Sequence, residues 1–358
     1  MKTWDVLGLG CVAVDDLLYV PSFPVADAKV RVVNRERQCG GLTGTALVTA
    51  ARFGARCAFA GLLGTDELSR VIEDNFLHEG VEVSFAPRSK DAPVPHSVII
   101  VGIETGSRNI FYRIEGRVGA DDRLPDESII RSARVLFLDQ YGMAGNLRAA
   151  SIARAAGISI VADFEEDSDP RFPELLKLVD HVVLPNDLAQ KITGKKSPEA
   201  AAEALWHKER QAVAVTCGIS GSWFLGKDGV VRHQPAFEVQ TVDTTGCGDV
   251  FHGAYAAALA QGATLSERVR LATAAAGLKA TQHGGQRGIP TRNEVEKFLR
   301  SRSRRSADRD IRLPRDAGER LLRNSGPLFR HSPADFRSAL YSEQAEIRLY
   351  AKGEVPWA

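Results

Sequence analysis

An α/β fold, with a mostly parallel sheet covered by helices and a small β lid set apart from it, is predicted by three features of the sequence. After Gly116, strand and helix patterns alternate: "ARVLFLD" before "AGNLRAASIARAAG", "ISIVADF" before "DPRFPELLKLV", "DHVVLP" before "NDLAQKITG". Strands that alternate with helices pair in parallel and bury both faces. Before that point, "GGLTGTALVTAARFGARCAFAGLLG" gives a glycine pair, a helix and a short strand. The β-rich pieces near residues 17–38 and 96–115 do not fit this layer and are assigned to a separate sheet over the site.

In chain order, "WDVLGLGCVAVDD" reads as a buried strand ending in two acids, and "YVPSFPVADAKVRVVNRER" as Pro-broken, then extended. The helix after the glycine pair stops at Gly54, and "DELSRVIEDNFLHEG" is a helix ending at Gly80. Two β runs around "ETGSR" signal a hairpin. Past the alternating region, "SPEAAAEALWHKE" is a helix with a Ser-Pro start, "AVAVTCG" a strand, and "SGSWFLGKDGVVRHQP" a hairpin with an Asp-Gly turn. Helices at about 247–261 and 265–282 close the compact part. Residues 1–299 are read as one domain, and 300–358 as an Arg-rich extension: a solvated linker, then one docking helix after residue 323.

Composition excludes several function classes. The 358 residues are 44% hydrophobic and 25% charged with net charge +1, so no global field draws the chain to nucleic acid or a membrane surface. No apolar run approaches the roughly 20 residues of a membrane span. Cys11, Cys39, Cys57, Cys217 and Cys247 form no metal-ligand spacing and are an odd number, which reads as reduced thiols in a cytoplasmic protein.

Two tempting motifs fail on context. "GLGCVA" matches the dinucleotide fingerprint, but Pro21 and Pro24 bar the helix that the fingerprint must open. "TGKKS" at Thr193–Ser197 lacks Walker spacing, and its Ser197 precedes Pro198 as a helix cap. The stretch "TVDTTGCGDVFHGAYAAAL" is stronger. It passes from an extended run into a small-residue helix, so "GCGD" is a helix N-terminus with outward N–H groups and the positive dipole end. Such a terminus binds phosphate. Gly246 and Gly248 admit a charged group to the backbone, and Asp249 in the same turn can take a proton from a hydroxyl beside it. A base and an anion hole within four residues suit phosphoryl transfer to an alcohol.

This stretch resembles the second signature of the PfkB (ribokinase-like) family of sugar and nucleoside kinases. "GGLTGTALVTAARFGARCAFAGLLGTD" resembles the first signature, and "GLGCVAVDD" the opening strand with its substrate-binding acid. The resemblance covers roughly residues 4–299 and looks most like the bacterial sulfofructose kinase branch. It implies a ribokinase-like three-layer αβα sandwich that uses ATP and Mg²⁺ to phosphorylate a sugar, in many members with lids pairing in a homodimer.

Residue by residue, the resemblance makes Asp249 the catalytic base and Gly246, Cys247 and Gly248 the anion-hole amides. Asp15, with Asp16 as its adjacent alternative, would grip sugar hydroxyls, and Gly40 and Gly41 would pack against the sugar. Thr45 stands where the family usually has Asn. Asn186, Thr216, Gly218 and Gly221 would line ATP, although the Glu of the family's N-x-x-E motif is Ala189 here, with Asp187 as its nearest substitute. Many members bind a monovalent cation such as K⁺ beside the anion hole. Asp243 and Thr245 match its ligand positions, with carbonyls near Ala280, His283 and Gly285. Lys29 matches a sulfonate-binding position, whereas Tyr112 and Tyr141 replace that branch's other polar residues. Arg108 and Arg113 on the lid could add charge at the pocket mouth. Asp163 ends a strand where ligands bind, and His252 is read as a helix-face residue. The expectation is therefore an ATP-dependent kinase of a ketose or related sugar, with a sulfofructose-like substrate kept open and a lean toward a neutral or weakly anionic ketose. A nucleoside kinase, with Phe23, Phe111 and Tyr112 as its base clamp, and a catalytically silent regulatory homologue are the alternatives.

Overall fold

The computed structural model describes residues 2–104 and 108–311, with side chains through Arg302. The chain divides into two units, 1–302 and 303–358, and the first holds both sheets and the candidate site.

The strands, in chain order, are β1 Trp4–Leu9, β2 Ala13–Val20, β3 Asn34–Gly40, β4 Cys57–Phe59, β5 Val81–Glu82, β6 His96–Gly102 and β7 Arg108–Arg113. They continue as β8 Ala133–Asp139, β9 Ser159–Asp163, β10 His181–Pro185, β11 Ala212–Thr216, β12 Ser222–Gly226 and β13 Arg232–Gln234. Nine of them form one sheet in the order β13-β12-β11-β10-β9-β8-β1-β4-β5. From β11 to β5 every pairing is parallel; β12 and β13 add an antiparallel edge. The strand alternation that predicts burial on both faces is realised side chain by side chain. Val6, Val135, Phe137, Val161, Val183 and Ala214 enter one core with the helices Leu42–Arg52, Cys247–Ala260 and Leu265–Lys279. Their neighbours Leu7, Leu136, Leu138, Ile160, Val182 and Val213 enter the other with Met143–Ala155 and Phe172–Leu178. The result is three layers.

The lid is a second sheet, ordered β3-β2-β6-β7. Here the opening segment departs from its reading as one strand. The Cys11 N–H donates to Asp139 Oδ2 at 2.6 Å, which draws the chain out of the main sheet after Leu9. The following residues start the lid, so Asp15 and Asp16 stand on β2 and not at the end of β1.

A second departure lies at the C-terminal side. The sequence reading ends helices at about residue 282 and takes the Arg-rich run for a linker; the structure has a helix over Arg292–Ile311. Val295 and Leu299, four residues apart, are buried on the body. Too few apolar positions in a charge-rich run concealed that face. The docking helix expected after residue 323 lies outside the described residues.

Candidate active site

The turn into the helix Cys247–Ala260 takes its shape from Gly246, whose φ of 74° is a left-handed conformation that side chains resist. The Cys247 N–H donates to Thr244 O at 3.2 Å. The N–H groups of Gly246 and Gly248 have no acceptor among the described residues. Gly246 and Gly248 therefore leave their amides open, while the Cys247 amide closes the turn. The Cys247 thiol turns beneath the helix toward Ala276 O at 3.5 Å. Space opens in front of Gly248, where a methyl group would meet nothing within 4 Å.

Asp249 follows in the first helical turn. Burial raises its carboxyl well above the ordinary value, and the charges of Asp163, Glu165 and Asp139 add to that. Asp139 and Asp163 end adjacent strands in register, at the carboxyl edge of the sheet. The buried Cys11 thiol feels the same acids. Burial pushes it up first, then the charges of Asp139, Asp249, Asp15 and Glu165.

His252, on the same helix, is buried. Its Nδ1 lies 2.8 Å from Gly248 O and 3.1 Å from Asp163 Oδ2, and its Nε2 3.0 Å from Val183 O. It ties the anion-hole turn to β9 and β10. Asp139 plays a similar part on the other side, accepting from Cys11 N, from Thr43 Oγ1 at 2.8 Å and from Tyr141 N at 2.9 Å, with burial pushing its carboxyl up to about 6. Sequence reasoning missed Asp139 and Glu165, because only the strand order brings them to Asp249.

On the lid side, the two acids of β2 separate by the alternation of a strand. Asp16 is spent: Arg37 donates to both its oxygens at 2.9 and 3.0 Å, and His96 Nε2 lies 2.9 Å away. These partners hold its carboxyl far below the usual range despite burial. Asp15 instead has its carboxyl raised by burial, with Ser97 as a hydrogen-bond partner, and lies so near Gly40 that a methyl group there would sit 2.8 Å from Asp15 Oδ2. Of the pair, Asp15 is free to meet a hydroxyl. Gly41 caps the helix Leu42–Arg52. Thr45, within that helix, is 1% exposed and its hydroxyl accepts from Gln286 Nε2 at 3.5 Å. A methyl group at Gly246 would lie 3.7 Å from both Thr45 Cγ2 and Asp249 Oδ2 and 3.6 Å from Gly285 Cα, so these residues converge.

The lid cations are mostly engaged elsewhere. Arg108 Nη1 donates to Asp243 Oδ1 at 2.9 Å and to Thr245 Oγ1 at 2.5 Å, and Arg113 pairs with Glu115. Lys29 is exposed on the connection between β2 and β3. Tyr112 is 73% exposed, while Tyr141 is half-buried beside Asp139 with its hydroxyl pushed up to about 12, chiefly by burial.

The residues expected at ATP fall together at the same edge. Thr216 ends β11 opposite Pro185, next to Asn186, and donates from Oγ1 to Leu184 O at 3.4 Å. Gly218 and Gly221 bound the turn that follows. Asn186 Oδ1 accepts from Gln190 Nε2 at 2.9 Å, Ala189 is fully buried, and Asp187 is exposed.

The expected cation ligands Asp243, Thr245 and Ala280 accept hydrogen bonds from the chain itself. Asp243 Oδ1 accepts from Arg108 and from Thr245 N at 2.8 Å, and Oδ2 from Gly284 N at 2.8 Å. Ala280 O accepts from Val242 N at 2.7 Å and Asp243 N at 3.1 Å. Lys279 Nζ donates to Asp243 O at 3.0 Å, and His283 is exposed. The acceptors already face the chain's own donors.

The chain is similar to known proteins. Residues 8–292 match the model of the pfkB family carbohydrate kinases. A ribokinase of Haemophilus influenzae is 28% identical over 83% of this chain and 98% of its own length. Fructokinase-2 of Solanum habrochaites is 27% identical over 73% and 87%. The crystal structure of a ribokinase from Thermotoga maritima superposes with a TM-score of 0.73 at 26% identity, covering 83% of this chain and 99% of that one. A ribokinase-like sandwich and a glycine-bounded helix start with an acid in its first turn agree with a family match across most of the chain: this protein belongs to the PfkB family of carbohydrate kinases.

Proposed function

We propose that the chain transfers the γ-phosphoryl group of Mg²⁺-ATP to a hydroxyl of a free, uncharged sugar, a ketose or a related carbohydrate. One observation carries this reading: Asp249 stands in the same turn as two unpaired amides, and space opens in front of Gly248. Asp15 would hold sugar hydroxyls, with Gly40, Gly41 and Thr45 shaping the floor. Asp249 would accept the proton of the attacking hydroxyl as the oxygen bonds to phosphorus. The Gly246 and Gly248 amides, at the positive end of the helix dipole, would face the charge on the transferring group. Asn186, Thr216, Gly218 and Gly221 would receive the nucleotide.

The choice of an uncharged sugar rests on the lid. An anionic substrate end needs convergent, desolvated cations, because a single exposed one is screened. Arg108 and Arg113 already have carboxylate partners, which leaves exposed Lys29. The nucleoside reading loses support from its own clamp, since Phe23, Phe111 and Tyr112 are 42%, 58% and 73% exposed. The intact turn weighs against a silent homologue. Ile110 and Phe111 on the lid edge are exposed and would meet a second copy if lids pair. All five cysteines are free, which suits a reducing compartment such as the cytoplasm. Among the described residues no helix is long and apolar enough to cross a membrane.

An ADP-release screen over neutral sugars, their 6-phosphorylated and 6-sulfonated forms and nucleosides tests this reading. A neutral sugar should give the highest kcat/KM, and Asp249→Asn should lower turnover by ~10²-fold or more while ATP binding survives. An anionic form that wins by over ~100-fold and loses that advantage in Lys29→Ala would reverse the substrate assignment. Full turnover in Asp249→Asn would remove the assigned base.

A further inference from the structure

The turn that carries the anion hole is held from below by positive charge, and that charge belongs to the protein. Lys279, the last residue of the helix Leu265–Lys279, is 0% exposed. A lysine is rarely buried so completely unless it is paired. Its ammonium donates to Asp243 O at 3.0 Å, in the segment that runs directly into Gly246. The carboxyl end of its own helix favours a cation there. Arg108 reaches the same segment from the lid, with Nη1 bonded to the Asp243 carboxylate and to the Thr245 hydroxyl.

We propose that Lys279, backed by Arg108, is the resident cation of the anion-hole turn, so that this kinase needs no exchangeable monovalent ion. An alkali ion binds where several oxygens turn free lone pairs toward one point. Here Asp243 Oδ1 meets a guanidinium and the Thr245 N–H, and Asp243 Oδ2 meets the Gly284 N–H. Ala280 O meets two N–H groups, and the Thr245 hydroxyl accepts from Arg108. The donors that satisfy these oxygens also count as charge: two cations face one carboxylate. The excess of one positive charge is what a bound K⁺ would bring, and a further ion would enter against it. A covalently held ammonium is present at every salt concentration and carries no binding equilibrium.

This inference rests on the reading of the Gly246–Gly248 turn as the anion hole, and its test keeps the two apart. The melting temperature of the full chain is measured in KCl, RbCl, NaCl and choline chloride at matched ionic strength, and crystals grown in RbCl are examined for anomalous scattering beside Asp243. Both readouts need no turnover, so they stand even if the sugar screen finds no substrate. Wild type should melt alike in all four salts and show no rubidium at this place. Where a substrate is found, turnover should also vary by less than about twofold among the salts. Lys279→Ala removes the ammonium and opens its volume. Turnover should fall in choline by about 10²-fold, the scale for losing one anion-hole group, and recover at least about tenfold in KCl. Lys279→Met fills the same space without charge, and should lose turnover in every salt. If the Ala variant does not fold, the Met variant and the wild-type series decide. Rubidium bound beside Asp243 in wild type, a K⁺-specific rise in its melting temperature, or wild-type turnover in Lys279→Met would overturn the proposal.

Discussion

Asp249 ionises with difficulty, because burial and then the charges of Asp163, Glu165 and Asp139 oppose its anion. Only the carboxylate can accept a proton, so a raised value means that the base forms as pH rises through it. The acid limb of kcat/KM should therefore lie above the ordinary carboxylate range. Glu165→Gln deletes one of the opposing charges and should move that limb to lower pH, whatever it does to the plateau. A limb that stays in place would separate Glu165 from Asp249. At this scale the sequence showed what is local. Asp249 and Gly246 belong to one turn, and a turn is legible in seven letters. It could not choose between Asp15 and Asp16, since the choice depends on Arg37 and His96 across the lid. Nor could it show Glu165 or Asp139, which reach the site through strand order.

Two helices bear the residues proposed to meet the substrate, and they touch through small residues. Gly253 of Cys247–Ala260 faces Leu42–Arg52 so closely that a methyl group would sit 2.2 Å from Ala46 O and 2.7 Å from Thr49 Cβ. Both neighbours belong to a rigid, buried helix, so neither can give way cheaply. Gly253→Ala should push the helices apart, cost about 1–3 kcal/mol as overpacking does, and lower turnover, because Thr45 and Asp249 ride on the two helices. Gly277→Ala is the control. Its nearest atoms would be 3.9 and 4.0 Å away, so it should be neutral or gain about 0.5–1 kcal/mol of helix preference. Urea unfolding of both variants checks the contrast; equal effects would mean that the helix contact is softer than it looks. Elements with a full hydrophobic period were readable, including the Ser197 cap, which accepts from Ala200 N at 3.2 Å. The break after Leu9 was not, because a tertiary bond from Cys11 to Asp139 makes it.

Over the whole molecule, strand–helix alternation predicted a parallel sheet, while the order of its nine strands follows from packing that no local pattern states. The same holds for where the body ends. Val295 and Leu299 are buried, Phe298 packs on Phe237 with ring centroids 5.5 Å apart, and the Arg302 guanidinium lies 5.2 Å from the Phe298 ring centre. These contacts belong to the helix Arg292–Ile311, so its first half is part of the kinase body although its composition reads as a tail. A chain cut after Arg302 keeps all of them. It should match the full chain in turnover and stay within about 0.5 kcal/mol in urea unfolding, as changes away from packed features usually do. A cut after Leu299 loses the cation over Phe298, an exposed contact worth about 0.5–1 kcal/mol. A cut after Arg292 exposes the ground beneath Val295, Phe298 and Leu299. At about 1.5–3 kcal/mol for each large apolar side chain, it should remove several kcal/mol, enough to unfold a domain of ordinary stability. The three truncations therefore form a graded series with a steep last step. If the cut after Arg302 already abolishes turnover or solubility, residues 303–358 are part of the working enzyme and the body extends beyond this helix.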